Sequence, residues 1–294
     1  MTQDIHDQWA NWILERRHGG DTELQRRTLE FLHPIRDRVL EYAQINSDDV
    51  VLDVGAGDGL VGFGALEQLE DRGRVIFSDI STDLLDQCRE VAVQLDVAEQ
   101  CRFVEASAEN LSALDADSVD VVTLRSVLIY VADKPGAFRE FHRVLRPSDR
   151  LSIFEPINSF TYPVPTGTFA GYDLTAVESL IERVKAVFTH YQPPDVDPML
   201  DFDERDLLEL AEDAGFADVH MRYEVDIEAD KEPVHWETFR HTSANPTIPT
   251  FDEAMREALT ESEIDQLTRH LKPLVESGRG EFRGAHVYLW ARRA

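Results

Sequence analysis

The chain has 294 residues, with 57 acidic side chains against 29 basic ones and a formal charge of −28. Such an acidic excess repels phosphate backbones and anionic lipid, so nucleic acid is a poor candidate for the substrate and a membrane surface is disfavoured, and neither is expected as a partner. The sequence has no run of about 18 apolar residues that could span a bilayer, and the start MTQDIHDQWANWILERRHGG lacks a basic region followed by an apolar block.

Cys88 and Cys101 form neither a CxxC pair nor a disulfide framework, so a cytoplasmic setting is expected. Lysine is confined to Lys134, Lys185, Lys231 and Lys272, and arginine supplies the remaining cations. Either a salt-adapted source or a GC-rich genome accounts for that bias, and melting temperature against salt separates the two.

In chain order, residues 4–18 and 22–44 read as two helices. In the second, Leu29, Leu32, Ile35, Val39 and Leu40 recur at helical spacing, and Asp21 or Thr22 can cap it. Strand-like apolar runs follow at 50–54, 74–78, 101–105, 119–124 and 150–154, with helices between them at 60–70, 82–95 and 134–145. This alternation predicts a parallel sheet with helices on both faces. Beyond Pro156 it breaks.

Residues 157–200 are rich in proline and aromatics, with a helix near 174–188, and read as a cap insertion. Residues 201–231 return to the core with a helix and a strand. Residues 232–281 form a second insertion with helices near 250–257 and 260–275, and 282–294 supply a last strand. The expected organisation is therefore an N-terminal helical segment at 1–44 over a cofactor site, a core at 45–156 continued by 201–231 and 282–294, and two insertions.

The stretch Val51-Leu52-Asp53-Val54-Gly55-Ala56-Gly57-Asp58-Gly59 is an apolar run ending in a glycine-rich turn. A second apolar run ends in Asp79, about 20 residues on, where an acid can accept both hydroxyls of a ribose. The glycines let the chain turn sharply and let a ligand approach bare backbone, and the helix that follows offers free N–H groups. This is the layout of a nucleotide-like cofactor site.

Five segments now occur in order: VLDVGAGDG, the acid of FSDIS, EASAENL, VDVVTLRSVLIYV and REFHRVLRPSDRLSIFEP. Together, over residues 45–156, the chain resembles the class I S-adenosylmethionine-dependent methyltransferases, and most closely their ubiquinone-type, small-molecule branch. Weaker echoes lie in DLLELAEDAGF and the last strand. The resemblance implies an α/β, Rossmann-like doubly wound sheet of seven strands with an antiparallel last strand, helical cap insertions, S-adenosyl-L-methionine as cofactor and a small-molecule substrate. It leaves the oligomeric state open, a homodimer among the alternatives.

By that resemblance Asp53 helps hold the cofactor's amino group, unless it only ties down the turn. Gly55, Gly57 and Gly59 form the floor under the methionine part, with Ala56 also at the cofactor, Asp79 binds the ribose, and Ile80 packs on adenine. Ser107, Ala108 and Glu109 hold the adenine edge; many members have Asp or Asn where Ser107 stands, and Glu109 could equally be a solvated helix-start acid. Arg125 and Ser126 face the amino-acid end, Arg125 pairing with a substrate or cofactor carboxylate or else with Asp53 or Glu155. His190 is the candidate general base because imidazole titrates near neutrality, with Glu155 as its alternative. Tyr162, Tyr172, Tyr191, His235 and Trp236 in the insertions, and Trp9, Trp12, His18 and Arg26 near the start, are substrate-contact candidates or lid core.

No metal is expected, since no ligand cluster with suitable spacing occurs. The expected reaction is direct in-line methyl transfer to oxygen or nitrogen. Two alternatives stand beside it. One is a module that binds the cofactor or its demethylated product without turnover. The other is a nicotinamide-dependent oxidoreductase, against which Leu60 occupies the place of the third glycine of GxGxxG.

Overall fold

A computed structural model describes residues 7–294; the first residues of the helix expected from position 4 lie outside them. The chain begins with a short helix α1 (Gln8–Asn11) that runs into a π-type turn (Trp12–Arg16). Helix α2 (Thr22–Ala43) starts where Asp21 accepts the N–H groups of Glu23 and Leu24, and ends at Gln44 in the left-handed conformation. Its stripe of Leu32, Ile35, Val39, Leu40 and Ala43 is buried.

The core then alternates: β1 (Val50–Val54), α3 (Leu60–Leu66), β2 (Arg74–Asp79), α4 (Thr82–Gln94), β3 (Cys101–Glu105), β4 (Val119–Arg125), α5 (Lys134–Val144) and β5 (Leu145–Pro156). The first insertion holds a two-residue hairpin, β6 (Thr168–Phe169) and β7 (Tyr172–Asp173), and α6 (Glu178–Tyr191). Helix α7 (Glu204–Asp213) and β8 (Phe216–Glu228) rejoin the core. The second insertion contributes α8 (Trp236–His241), α9 (Phe251–Ala258) and α10 (Glu261–Ser277), and β9 (Phe282–Arg293) closes the chain.

Seven strands form one sheet in the order β3-β2-β1-β4-β5-β9-β8. β1 to β5 run parallel to one another, and β9 inserts antiparallel between β5 and β8. The last strand alone is reversed, so β8 runs with the parallel set. The near-continuous apolar runs of β1, β2 and β4 follow from burial on both faces. Two apolar clusters cover those faces, one built with α2, α3 and α4, the other with α5 and α7.

β5 begins five residues before the expected start. Arg146-Pro147-Ser148-Asp149 runs as a bulge inside the strand, with the register jumping between Val119↔Leu145 and Val121↔Arg150. Arg146 is held there by Asp120, and Ser148 takes a positive φ of 72°.

The two insertions share a third apolar cluster. Ile181 and Val184 of α6 meet Trp236, Phe251, Met255, Leu267 and Leu271 from the second insertion. Segments far apart in sequence thus fold into one cap above the carboxyl ends of the strands. Tyr172 and Trp236, candidates for substrate contact, belong to this cap core. Among the described residues no helix is long and apolar enough to cross a membrane.

Candidate active site

The strand order reverses between β1 and β4, where open α/β sheets bind ligands at the carboxyl ends of their strands. A cavity of about 1340 Å³ opens at that point. Single drug-sized ligands fill roughly 300–1,000 Å³, so this one has room for two. Its floor is the turn after β1 together with Asp79, Ser107 and Arg125, and its roof is the cap.

At Gly57 the backbone takes φ +56°, and an added Cβ would find only Ile13 Cδ1 at 3.5 Å and Gly55 O at 4.0 Å. The turn is thus left-handed and open to the cavity at one point, which is where glycine is needed. Gly55 is constrained differently, since a Cβ there would stand 2.5 Å from a methyl of Val127.

Asp79 is buried at the end of β2. One of its oxygens accepts the Gly57 N–H at 2.8 Å and the other accepts Ser81 N–H at 2.9 Å. Burial raises its pKa above the usual carboxylate range, against those N–H groups, which favour the charged form. The helix-capping role is filled by Ser81, whose hydroxyl accepts Leu84 N–H. Asp79, held by the Gly57 and Ser81 N–H groups, lines the cavity. Ile80 beside it leaves 50% of its surface uncovered, an apolar side chain bare within a cavity wall. Ser107 and Ala108 continue this wall, and exposed Glu109 stands at its rim. On the β4 side, Ser126 takes φ +57°, a strained conformation for serine, next to Arg125. Strain of this kind concentrates at functional sites.

Five of the expected site residues, Gly59 among them, are not at the cavity wall. Asp53 is buried behind the turn, where its carboxylate accepts Gly62 N–H at 2.8 Å and the Thr123 hydroxyl at 3.3 Å. Burial pushes its pKa up to about 7. It organises the turn and does not meet the cavity. Ala56 is buried, with its N–H given to Ser78 O at 2.9 Å.

The two candidate bases are also displaced. His190 is exposed on the outside of α6, its ring against Tyr191, while Lys185, Ala186 and Thr189 of the same helix line the cavity. Glu155 is fully buried, and its carboxylate accepts three N–H groups, those of Val127, Leu128 and Ile129, at 2.8, 3.0 and 3.3 Å. Burial pushes its pKa up to about 7. Neither reaches the cavity, so neither is placed to take a proton from a ligand there. The ionisable groups that do line it are Asp58, Asp79, Glu109, Glu182, Lys185, Arg17, Arg125, Tyr130 and Tyr162. Burial pushes Tyr130 up to about 12.

The N-terminal segment closes the cavity as a strap. Asp7 takes the Ser81 hydroxyl at 2.6 Å on the core side. On the cap side Trp12 Nε1 donates to Ser243 O at 2.9 Å, Ser243 N–H donates to Arg16 O, and the Arg16 side chain pairs with Glu253 at 2.6 Å. Trp9 lies edge-on to Tyr130, ring centroids 4.9 Å apart. Trp9, Trp12 and Tyr162 line the cavity as expected of contact candidates, whereas Tyr191 and His235 are exposed and Arg26 is held by Glu23 and Glu30 on the surface. Arg17 is the residue that sequence reasoning missed: it neighbours His18, lines the cavity, and carries no motif.

A glycine turn at the switch point and an acid on the next strand have the layout of a nucleotide-cofactor site, with a capped compartment beside it. Comparison with known proteins gives the class. A family model described as "Methyltransferase domain" matches residues 45–228. The ubiquinone/menaquinone biosynthesis C-methyltransferase UbiE of Enterobacter sp. (strain 638) is 30% identical over 134 residues, covering 46% of this chain and 51% of that protein. The chain thus spans about half the length of this curated relative.

Among solved structures, the YcgJ protein of Bacillus subtilis superposes with a TM-score of 0.54 at 16% identity, covering 89% of this chain and 98% of that one. Geranyl diphosphate C-methyltransferase from Streptomyces coelicolor A3(2), in complex with S-adenosyl-L-homocysteine, superposes with a TM-score of 0.51 at 16% identity, covering 89% and 76%. These two support the fold. The chain belongs to the class I S-adenosylmethionine-dependent methyltransferases.

Proposed function

We propose that the protein transfers the methyl group of S-adenosylmethionine directly to an oxygen or nitrogen of a small organic acceptor held under the cap. The observation that carries this reading is one cavity of about 1340 Å³ that joins the glycine turn and Asp79 to the aromatic wall of Trp9, Trp12, Phe169, Phe188, Phe239 and Phe251.

The residues present fit the cofactor. The bare backbone of Gly57, the uncovered face of Ile80 and the cavity-lining carboxylate of Asp79 match a methionine chain, an adenine ring and a ribose in that order. Gly55 and Gly57 would lie under the methionine part, Asp79 would take the ribose hydroxyls, and Ile80, Ser107 and Ala108 would border the adenine. Bound there, the cofactor supplies a methyl carbon already activated by a sulfonium. The remaining tasks fall to the protein, which aligns the acceptor with that carbon and keeps water out. The strap, tied to both core and cap, performs the exclusion. With His190 outside the cavity and Glu155 buried behind it, we assign no imidazole base. Cavity carboxylates such as Asp58 are the groups within reach for proton removal.

A second reading, transfer to carbon, is favoured by the relatives that are C-methyltransferases. Product analysis with isotopically labelled methyl separates the readings by the atom that carries the label.

Calorimetric titration tests the proposal at its root. S-adenosylmethionine and S-adenosylhomocysteine are expected to bind with dissociation constants of about 1–100 μM, and NAD not at all. Binding of NAD alone would sink the methyl-transfer reading. Binding of both sulfur ligands with no labelled product across an acceptor screen would favour the non-catalytic module.

A further inference from the structure

Three cationic side chains line the cavity: Arg17, Arg125 and Lys185. Lys185 is paired with Glu182 at 2.9 Å. Neither arginine has a side-chain hydrogen bond or an ion pair among the described residues, and the buried Nε of Arg125 lacks any partner. Arg17 lies over the Trp12 ring, its guanidinium carbon 5.5 Å from the centroid. Both guanidiniums are half-buried and neither forms an ion pair, although the buried carboxylates of Asp53 and Glu155 act on Arg125 electrostatically from behind the floor. Two guanidiniums in one cavity repel each other, and an anion bound between them would relieve that repulsion. Burial and the neighbouring Arg125 accordingly hold the pKa of Arg17 below its ordinary value. Asp58, on the same wall, makes an electrostatic contribution to Arg17 without forming an ion pair with it.

The cofactor does not supply that anion. Its carboxylate is balanced by its own ammonium, and its sulfonium adds a further positive charge. The position of Arg17 also speaks for the acceptor compartment. It follows Arg16, whose carbonyl and side chain are both tied to the cap, and it neighbours Trp12, tied to Ser243 of the second insertion. Arg125 stands opposite, at the end of β4 on the floor.

We infer that Arg17 and Arg125 form a seat for an oxyanion carried by the acceptor, a carboxylate or a phosphate ester, and so determine substrate class. This rests on the methyl-transfer reading above. The planar fork of a guanidinium fits either group in bidentate fashion. The aromatic wall beside it takes the apolar body of the same molecule. The substrate class is therefore a small, partly aromatic or apolar anion, anchored by its charge and presenting its nucleophile to the cofactor side.

The test uses the full chain saturated with S-adenosylhomocysteine, and in a parallel series without it. Benzoate, phenyl phosphate and benzamide are titrated while indole fluorescence is followed, since Trp9 and Trp12 line the cavity. One or both anions are expected to bind about tenfold or more tightly than benzamide, and the stronger of the two identifies the oxyanion. In Arg17→Gln that preference is expected to fall about tenfold while S-adenosylhomocysteine affinity stays within about threefold. Arg125→Gln supplies the same readout should Arg17→Gln fail to fold.

Benzamide binding as well as the anions, or no anion binding up to about 10 mM, overturns the seat. So does an arginine variant that loses about tenfold in S-adenosylhomocysteine affinity and keeps the anion preference, because the guanidinium then serves the cofactor. Anion preference in a wild-type protein that does not bind S-adenosylhomocysteine leaves the seat standing and sinks the methyl-transfer reading instead.

Discussion

Asp79→Ala is expected to raise the dissociation constant for S-adenosylhomocysteine by about 100-fold or more, read by calorimetry. In the proposed site, two hydrogen bonds from ribose hydroxyls to this charged acceptor would contribute about 1.5–3 kcal/mol each, and both would go with the carboxylate. The same carboxylate also fixes the turn from within, through the N–H groups of Gly57 and Ser81. A loss of affinity alone would therefore not separate ribose recognition from a slackened turn.

The 2′-deoxy analogue of the ligand separates them. Wild type should prefer the ribose form, and the variant should bind both forms equally, because the coupling between Asp79 and the hydroxyl is then gone. An affinity for S-adenosylhomocysteine that stays within about threefold of wild type would remove Asp79 from the binding site. Helix α4 should survive the change in either case, since its cap is Ser81.

The sheet was legible because its physics is local. Strands buried on both faces must be continuous apolar runs, and a turn that passes a ligand must be glycine, so β1, the turn and the acid of β2 stand out in any reading of residues 50–79. The site was legible only as far as it is made of such backbone features. Gly55, Gly57, Asp79, Ile80 and Ser107 line the cavity because strand ends put them there.

The errors concern the direction of side chains. His190 follows Thr189 by one residue, which on a helix is a rotation of about 100°, enough to carry it from cavity to solvent. Asp53 and Glu155 lie on buried strands, and nothing in their sequence neighbourhood says that the nearest backbone N–H groups will claim both carboxylates. Arg17 was missed for the opposite reason. Its role arises from contacts more than 200 residues away in sequence, where the strap meets Ser243 and Glu253. No local spacing encodes such a contact. The single cap is a similar case, since its shared core joins two insertions that each look like a separate excursion.

Glu155→Ala is expected to cost about 3–5 kcal/mol of stability, measured by urea unfolding. The substitution strips acceptors from three backbone N–H groups at the turn after β4, two of them on fully buried residues. An unsatisfied buried donor costs about 1–3 kcal/mol. This turn also carries the strained Ser126 and holds Arg125 at the cavity, so its loss should weaken ligand binding too.

The ionisation of Glu155 sets a pH dependence with a definite sign. Burial raises the folded-state pKa to about 7, while an unfolded glutamate titrates near about 4.3. Between those values the folded chain keeps a proton that the unfolded chain releases. Stability from this group is therefore present in full at low pH, falls as pH rises through about 7, and is level beyond. Asp53, raised to about 7 by burial as well, adds a decline in the same window. Glu155→Gln cannot ionise and should lose its own part of the slope. The gap between wild type and Glu155→Gln should thus shift in favour of the variant from pH 5 to pH 8, by up to about 3 kcal/mol. A gap that does not change with pH would mean that the three N–H groups hold Glu155 as an anion throughout, outweighing its burial.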